Sequence, residues 1–242
     1  MVNSSASTEK GELKKMLDFG FYNMDCMEGM KEFPDKYFDL AIVDPPYGIG
    51  YDTIAQNAGG TKSKGAATFK KHYHASGWDV RPTKEYFDEL MRVSKNQIIW
   101  GGNYFTDYLP PSKGFICWDK RCNNAMVNNF ADCEYAYLSE GLGVARMYRH
   151  MWNGMLQEDM KNKENRIHPT QKPVALYKWI LTMYAKQSDK ILDTHVGSAS
   201  SLIACYDMGF KYVGFEIDEE YYKLACQRLE EEKAQMRWLL LP

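Results

Sequence analysis

Four consecutive residues, Asp44-Pro45-Pro46-Tyr47, combine groups that suit chemistry on a planar amino compound. They directly follow an apolar run that is typical of a buried strand. Asp44 offers a carboxylate acceptor, and the prolines leave carbonyl acceptors without competing N–H donors. Tyr47 offers an aromatic face. Two acceptors beside an aromatic platform fit the exocyclic amino group of a nucleobase. A simple strand-ending turn is the alternative interpretation.

A second turn, from Asp193 to Ser200, has the composition of a nucleotide-binding turn. Gly197 and its small neighbours allow a ligand to approach the backbone closely where the next helix begins. Glu216 ends the following strand, where an acidic group can bind ribose hydroxyls. The turn lacks the G-x-G-x-x-G pattern of dinucleotide-binding proteins. A nucleoside without phosphates, such as S-adenosylmethionine, fits better than NAD, and an ordinary packing turn is the alternative.

Strands and helices must alternate to position these two turns. Strands are predicted at 19–24, 39–44, 97–100, 115–118, 133–138, 190–193 and 212–216, and helices at 26–33, 83–93, 173–186, 199–208 and 218–238. Residues 50–77 form a long loop, and residues 141–169 are expected to be irregular. The alternation predicts an α/β fold with a mostly parallel sheet and helices on both faces.

The composition narrows the class of protein. The length of 242 residues suits a single domain, residues 1–242. No apolar run is long enough to cross a membrane and the N-terminus lacks a signal peptide, so a cytoplasmic protein is expected. The six cysteines match no zinc spacing, so no metal is expected. Residues 50–172 hold 17 basic and 13 acidic residues although the whole chain has a net charge of −2, which favours one face toward a polyanion.

Together these residues resemble the amino-methyltransferases that make N6-methyladenine or N4-methylcytosine in DNA. Residues 44–47 meet the family motif [D/N/S]-P-P-[Y/F/W]. The family turn D-P-F-x-G-x-G-[ST] is matched at Asp193, Gly197 and Ser200. The sequence departs from it at Thr194, His195 and Ala199.

Two further segments carry the same resemblance. Residues 168–173, His-Pro-Thr-Gln-Lys-Pro, match a segment that precedes the cofactor half in the family, and residues 23–26 resemble the segment whose Asp contacts the cofactor adenine. The catalytic motif comes first and the cofactor turn last, which resembles the permuted β-group order. The match spans about residues 19–230.

The resemblance implies a Rossmann-like, S-adenosylmethionine-dependent methyltransferase fold. The implied activity is direct in-line transfer of a methyl group from S-adenosylmethionine to N6 of adenine in DNA, after base flipping. The implied catalytic residues are Asp44, Pro45, Pro46 and Tyr47. The implied cofactor-binding residues are Asp25, Cys26, Asp44, Thr170, Lys172, Asp193, His195, Gly197, Ser198, Ser200, Glu216 and Ile217. Among them, Asp25 would face the adenine, Glu216 the ribose, and Lys172 and Thr170 the methionine end, whereas His195 either lines the pocket or packs.

Double-stranded DNA is the implied partner, with loop 50–77 on phosphates and residues 121–166 as a small target-recognition region. The candidate nucleic-acid-binding residues are Lys62, Lys64, Lys70, Lys71, Trp118, Lys120, Arg121, Arg146 and Arg149. Residues 100–103 and 118–120 are candidate walls of the target-base pocket, with core packing as the alternative for both tryptophans. A homodimer and a separate restriction nuclease of a restriction-modification system are candidate partners.

The same residues are compatible with several other substrates and with a function that is not enzymatic. N4 of cytosine can be served by the same motif, although Asp44 favours adenine because Ser is frequent there in the cytosine enzymes. RNA or a protein glutamine could be the substrate, although proteins that methylate glutamine tend to have Asn at the first motif position. A degenerate, catalytically weak fold could only bind nucleic acid.

Overall fold

The computed structural model describes residues 16–50, 77–122, 131–153 and 156–239 of the chain. Its strands are β1 (Gly20–Asn23), β2 (Phe38–Val43), β3 (Ser94–Trp100), β4 (Phe115–Asp119), β5 (Cys133–Leu138), β6 (Arg146–Arg149), β7 (Trp152–Asn153), β8 (Leu156–Gln157), β9 (Lys190–Asp193) and β10 (Lys211–Glu216). Its α-helices are α1 (Cys26–Met30), α2 (Lys84–Val93), α3 (Val174–Tyr184), α4 (Ser200–Asp207) and α5 (Glu219–Leu239).

Eight strands form one twisted sheet in the order β1-β10-β9-β2-β3-β5-β4-β6. The first five strands in this order, β1, β10, β9, β2 and β3, are parallel to one another. β5 runs antiparallel to both of its neighbours, β3 and β4. β9 continues outward through α4 to β10, whereas β2 continues in the other direction through α2 to β3. The order of connection therefore reverses between β9 and β2, which is where open α/β sheets bind ligands.

The core lies on both faces of the sheet because successive strand residues point to opposite sides. Leu40 and Ile42 of β2 pack with Ile180 of α3 on one face. Ala41 and Val43 pack with Leu90 of α2 on the other face. The helix α5 covers α4 and the edge formed by β1 and β10.

The structure confirms the predicted α/β class with a mostly parallel sheet and helices on both faces. The expectation that residues 141–169 are irregular is wrong, because β6 pairs in parallel with β4 and β7 pairs antiparallel with β8. β6 is an edge strand whose residues are mainly exposed, so it lacks the apolar pattern that marks the inner strands. No helix in the described part of the chain is long and apolar enough to cross a membrane.

Candidate active site at the carboxyl edge of the sheet

A cavity of about 460 Å³ opens where β9 and β2 meet. Parallel strands end at the same edge of a sheet, so the residues after β2, β9 and β10 reach this cavity together. β5 is antiparallel and therefore contributes its first residues instead of its last. One half of the cavity is lined by Gly197, Ser198 and Glu216, and the other half by aromatic side chains that include Trp118 and Tyr135.

Residues 44–47 line this cavity and follow β2, which lies in the sheet between the strands that carry the two halves. The Tyr47 hydroxyl donates a hydrogen bond of 2.8 Å to Asp44 Oδ1. Burial, reinforced by the Asp44 carboxylate, holds the pKa of Tyr47 well above its ordinary value, so the phenol keeps its proton and remains a donor. Asp44 is thus oriented by its own motif.

The Tyr47 ring is held in place by the turn that follows β3. Tyr104 stacks on Tyr47 with ring centroids 4.8 Å apart and an interplanar angle of 18°. Gly101 also packs against the ring, and an added Cβ at this position would lie 2.2 Å from Tyr47 Cε1. Gly101 also has a φ of +67°, which favours glycine. The backbone conformation and the space beside the Tyr47 ring therefore both require glycine at position 101.

A chain of alternating charges extends from Asp44 toward β4. The Lys172 ammonium pairs with Asp44 Oδ2 and lies 3.3 Å from Glu134 Oε2. Glu134 Oε1 in turn accepts a 2.7 Å hydrogen bond from Lys120. Lys172 is only 4% exposed, and its ammonium lies 5.2 Å from the centroid of the Trp100 ring. A buried ammonium is stable only when carboxylates compensate its charge.

The pKa values of the central pair follow from these contacts. Burial raises the pKa of Glu134, but the ammonium groups of Lys172 and Lys120 outweigh this effect and hold it at about 2. Burial lowers the pKa of Lys172, but Asp44 and Glu134 raise it above its ordinary value. Both groups are therefore charged at neutral pH.

The turn after β9 closes the opposite half of the cavity. Gly197 has a φ of +54°, and its N–H donates to Glu216 Oε2 at 2.8 Å. The other Glu216 oxygen accepts from Asp218 N at 2.9 Å. Burial raises the pKa of Glu216. Glu216 thus ties two loops together while it also lines the cavity.

Arg228 of α5 supports this turn from behind. Its guanidinium donates to the Ser198 carbonyl at 2.6 Å and to Ser200 Oγ at 2.9 Å. It also pairs with Glu164 at 2.7 Å, and Glu164 in turn accepts from Val174 N at the start of α3. The segment that precedes Lys172 is therefore linked to the cofactor turn through one arginine.

Asp193 lies beneath the same turn and does not line the cavity. Its carboxyl group accepts from His195 N at 3.0 Å and from the Ser201 hydroxyl. Burial raises the pKa of Asp193 to about 7, although both hydrogen bonds act to lower it. The structure gives Asp193 the role of holding the turn instead of a place in the cavity wall.

The two family departures at 194 and 195 form one hydrogen-bonded chain. Thr194 Oγ1 lies 2.6 Å from the Tyr86 hydroxyl and 2.9 Å from His195 Nδ1. His195 lines the cavity, and burial lowers its pKa to about 4, so the imidazole is neutral at pH 7. This chain fixes one nitrogen of His195 and so orients its ring against the cavity.

Most sequence-predicted residues line the cavity. They are Asp44, Pro45, Pro46, Tyr47, Trp118, Lys120, Thr170, Lys172, His195, Gly197, Ser198, Glu216 and Ile217. Asp25, Cys26 and Ser200 lie at the same edge but outside the cavity wall; Asp25 instead caps α1 through Met27 N at 2.8 Å. The Lys172 ammonium contacts carboxylates, a set of partners that the sequence interpretation did not include.

The candidate DNA-contacting residues are more dispersed. Trp118 is fully buried, and its indole N–H donates to the His150 carbonyl, so only a base inside the cavity could reach it. Arg121 pairs with Asp132 at 2.6 Å, and Arg146 and Arg149 lie on β6, mainly exposed. Lys62, Lys64, Lys70 and Lys71, with most of loop 50–77, lie outside the described residues.

Sequence reasoning missed several cavity residues. Glu134 was missed because it is the second residue of a strand whose sequence is mostly apolar. No local pattern indicates that β5 begins at the carboxyl edge of its neighbours, which is what brings Glu134 to the cavity. Asp79 was also missed; its carboxylate accepts from Gly48 N and Ile49 N, just after residues 44–47. Trp152 and Arg166 line the cavity and stack, with the guanidinium 4.3 Å from the ring centroid.

Comparison with known proteins finds methyltransferases that are similar to this chain over most of its length. Residues 142–227 match the family model of N6/N4 methyltransferases, described as DNA methylase. The type II methyltransferase M2.DpnII of Streptococcus pneumoniae is 24% identical, over 86% of this chain and 88% of its own length. The DNA adenine methyltransferase YhdJ of Escherichia coli K12 is 23% identical, over 85% of this chain and 81% of its own length.

Two solved structures share the fold. The M1.HpyAVI–SAM complex has a TM-score of 0.50 with 19% identity, and the alignment covers 86% of this chain and 98% of that one. The cytosine-N4-specific PvuII DNA methyltransferase has a TM-score of 0.56 with 12% identity, covering 90% of this chain and 91% of that one. The family match over residues 142–227 and the similar curated methyltransferases show that this chain resembles the N6/N4 DNA methylase family, and the solved structures show that it shares their fold.

Proposed function

We propose that this protein transfers a methyl group from S-adenosylmethionine to N6 of adenine in double-stranded DNA. One observation carries the proposal. Asp44 to Tyr47 lie in one cavity, between a turn suited to a nucleoside and a pocket with aromatic walls. The proposal rests on this placement together with the resemblance to the family.

The cavity residues fit S-adenosylmethionine. A cavity of about 460 Å³ has the size of a small-molecule site. Gly197 brings backbone without a side chain to the cavity wall, and Glu216 provides a carboxylate for hydroxyl groups. Ile217, which is 70% exposed, provides an apolar surface for an adenine ring. Asp25 and Cys26 remain candidate contacts at the rim. When bound, this cofactor supplies an electrophilic methyl group.

Asp44 and Tyr47 would prepare the substrate amino group. This nitrogen is a poor nucleophile while its lone pair is delocalised into the ring. Asp44 accepts hydrogen bonds from the amino group, and so does the Pro45 carbonyl, which favours a more tetrahedral nitrogen. Tyr47 stacks on the base and orients Asp44 through its hydroxyl. Asp44 would also accept the proton that the nitrogen loses on methylation.

The choice of adenine rests on Asp44, since Ser is frequent at this position in the cytosine-N4 enzymes of the family. The YhdJ relative is an adenine methyltransferase, whereas the PvuII enzyme that shares the fold acts on cytosine N4. The base must therefore be identified from the product.

The protein would meet DNA at the same edge of the sheet. Arg146 and Arg149 are exposed on β6 and, with loop 50–77, would bind phosphates, while residues 121–166 would read the target. A homodimer would enlarge this contact area, and a separate nuclease would make the protein part of a restriction-modification system.

The test is to incubate the protein with methyl-labelled S-adenosylmethionine and unmethylated duplex DNA, then identify the modified nucleosides by mass. Asp44→Ala is the test variant. Asp35→Ala is the matched control, because Asp35 is an exposed aspartate in an ion pair before β2, at the opposite edge of the sheet.

The proposal expects N6-methyladenine from the wild type and from Asp35→Ala, and a loss of product in Asp44→Ala. If N4-methylcytosine is found instead, the substrate base is cytosine, and the proposed role of Asp44 is unchanged. Absence of label in duplex DNA, single strands and RNA would overturn the enzymatic proposal in favour of a protein that only binds nucleic acid.

A further inference from the structure

Glu134 is the least expected charged residue in the cavity. It is the second residue of β5, and its register partner across the β4–β5 ladder is Trp118. Glu134 therefore reaches the cavity only because β5 runs antiparallel and begins at the carboxyl edge of its neighbours. Its two oxygens contact two different ammonium groups, Lys120 at 2.7 Å and Lys172 at 3.3 Å.

Lys172 is shared between two carboxylates. Its ammonium contacts Asp44 and Glu134, while its remaining surroundings include the Trp100 ring. An ammonium that is 4% exposed cannot exchange either carboxylate for bulk water. The strength of its contact with Asp44 therefore depends on how much of its charge Glu134 compensates.

We infer that Glu134 is a positioning residue that shares Lys172 with Asp44 and thereby keeps Asp44 a strong acceptor for the substrate amino group. Without Glu134, Lys172 would pair with Asp44 alone and compete more strongly for its oxygens. Lys120 has a supporting role because it fixes the other Glu134 oxygen. The inference rests on the proposed function in one respect, namely that Asp44 binds the amino group.

The thermodynamic arm of the test needs no catalytic activity. Free energies of unfolding in urea are measured for wild type, Asp44→Asn, Glu134→Gln and the double variant. Each single variant leaves Lys172 one carboxylate, whereas the double variant leaves it buried with neither, so the combined effect should exceed the product of the single effects on the unfolding constant by about ten-fold or more. Effects that combine within about two-fold would show that the two carboxylates do not share Lys172, and would overturn the inference.

The kinetic arm separates positioning from general stability. Glu134→Gln should lower kcat roughly ten-fold or more while KM for the methyl donor stays within about two-fold. The matched control is Asp207→Asn, which removes a buried carboxylate from its 2.6 Å pair with Lys178 between α3 and α4, outside this cavity. Glu134→Asp keeps the charge and should recover part of the lost rate.

The outcomes distinguish this inference from the proposed function. Wild-type protein without methyltransferase activity would overturn the proposed function, and the unfolding cycle would still decide whether Lys172 is shared. Active wild type with Glu134→Gln equal to Asp207→Asn in kcat would overturn the inference alone. Coupled unfolding energies together with a selective loss of kcat would support it.

Discussion

Replacing Gly101 by alanine should damage the active site through a single methyl group. Gly101 has a φ of +67°, so alanine there costs about 1–2 kcal/mol of backbone strain. The new Cβ would also meet the Tyr47 ring at 2.2 to 2.6 Å, closer than any real contact. The ring must therefore shift, which disturbs its stacking on Tyr104 and its hydrogen bond to Asp44.

The movement of Tyr47 adds two further losses. A hydrogen bond to a charged group contributes about 1.5–3 kcal/mol, and an aromatic stack about 0.5–1.5 kcal/mol. We expect Gly101→Ala to lower the free energy of unfolding by about 2–4 kcal/mol, since relaxation recovers part of the sum. Because we propose that Tyr47 stacks on the base, and because its hydroxyl orients Asp44, kcat should fall about 10- to 100-fold while binding of the methyl donor is retained.

Gly209→Ala is the matched control for backbone strain. Gly209 has a φ of +74°, and its added Cβ would meet only the flexible Gln187 amide, at 3.2 Å. The assays are urea unfolding, calorimetric titration of the methyl donor and methyl incorporation into DNA. If Gly101→Ala matched Gly209→Ala in both stability and kcat, the argument that Gly101 exists to seat Tyr47 would be refuted.

Three further predictions concern the cofactor half of the cavity. The pKa of Asp193 is raised to about 7 in the folded state, so the wild type should lose stability as pH rises from about 4 to about 7. Asp193→Asn can satisfy both hydrogen-bond partners and does not titrate, so its loss of stability should be smaller. Urea unfolding at about pH 5 and about pH 8 measures the difference. Arg228→Met should lower the free energy of unfolding by about 2–3 kcal/mol and weaken methyl-donor binding in calorimetry, because the Ser198 carbonyl loses its donor. The control Arg92→Met breaks ion pairs at the opposite edge of the sheet and should affect stability alone. Tyr86→Phe should cost about 1–3 kcal/mol in urea unfolding because Thr194 and His195 lose one partner in a buried chain, and an unchanged stability would contradict the assigned bonds.

The sequence was sufficient for the parts of the site that are local. β2 and β9 have apolar, buried centres, residues 40–43 and 191–192, and the residues that follow such strands must reach the carboxyl edge of a parallel sheet. Their order along the chain and their apolar character were therefore enough to place Asp44 and Gly197 at one edge. The inner strands were recognisable because they are buried on both faces.

The rest depends on relationships that no local pattern contains. Whether Glu134 points into the cavity depends on the direction of β5, and direction follows from how β3, β5 and β4 pair across long separations in sequence. Lys172 was identified as a site residue, but its partners lie 128 and 38 positions away. β6 was missed because an edge strand with mainly exposed residues carries no buried periodicity.

The departures from the family turn at Thr194 and His195 are best understood as one coupled change. The hydroxyl of Thr194 contacts both the Tyr86 phenol and His195 Nδ1, so each of the three polar groups obtains its partner from the other two. The family's proline at 194 would remove the central hydroxyl and leave two buried polar groups without it, at a cost of about 1–3 kcal/mol each. The family's phenylalanine at 195 would similarly leave the Thr194 hydroxyl with only Tyr86. Because single reversions are penalised, these residues are expected to change together, and the backbone turn that holds Gly197 is kept while one cavity wall becomes polar.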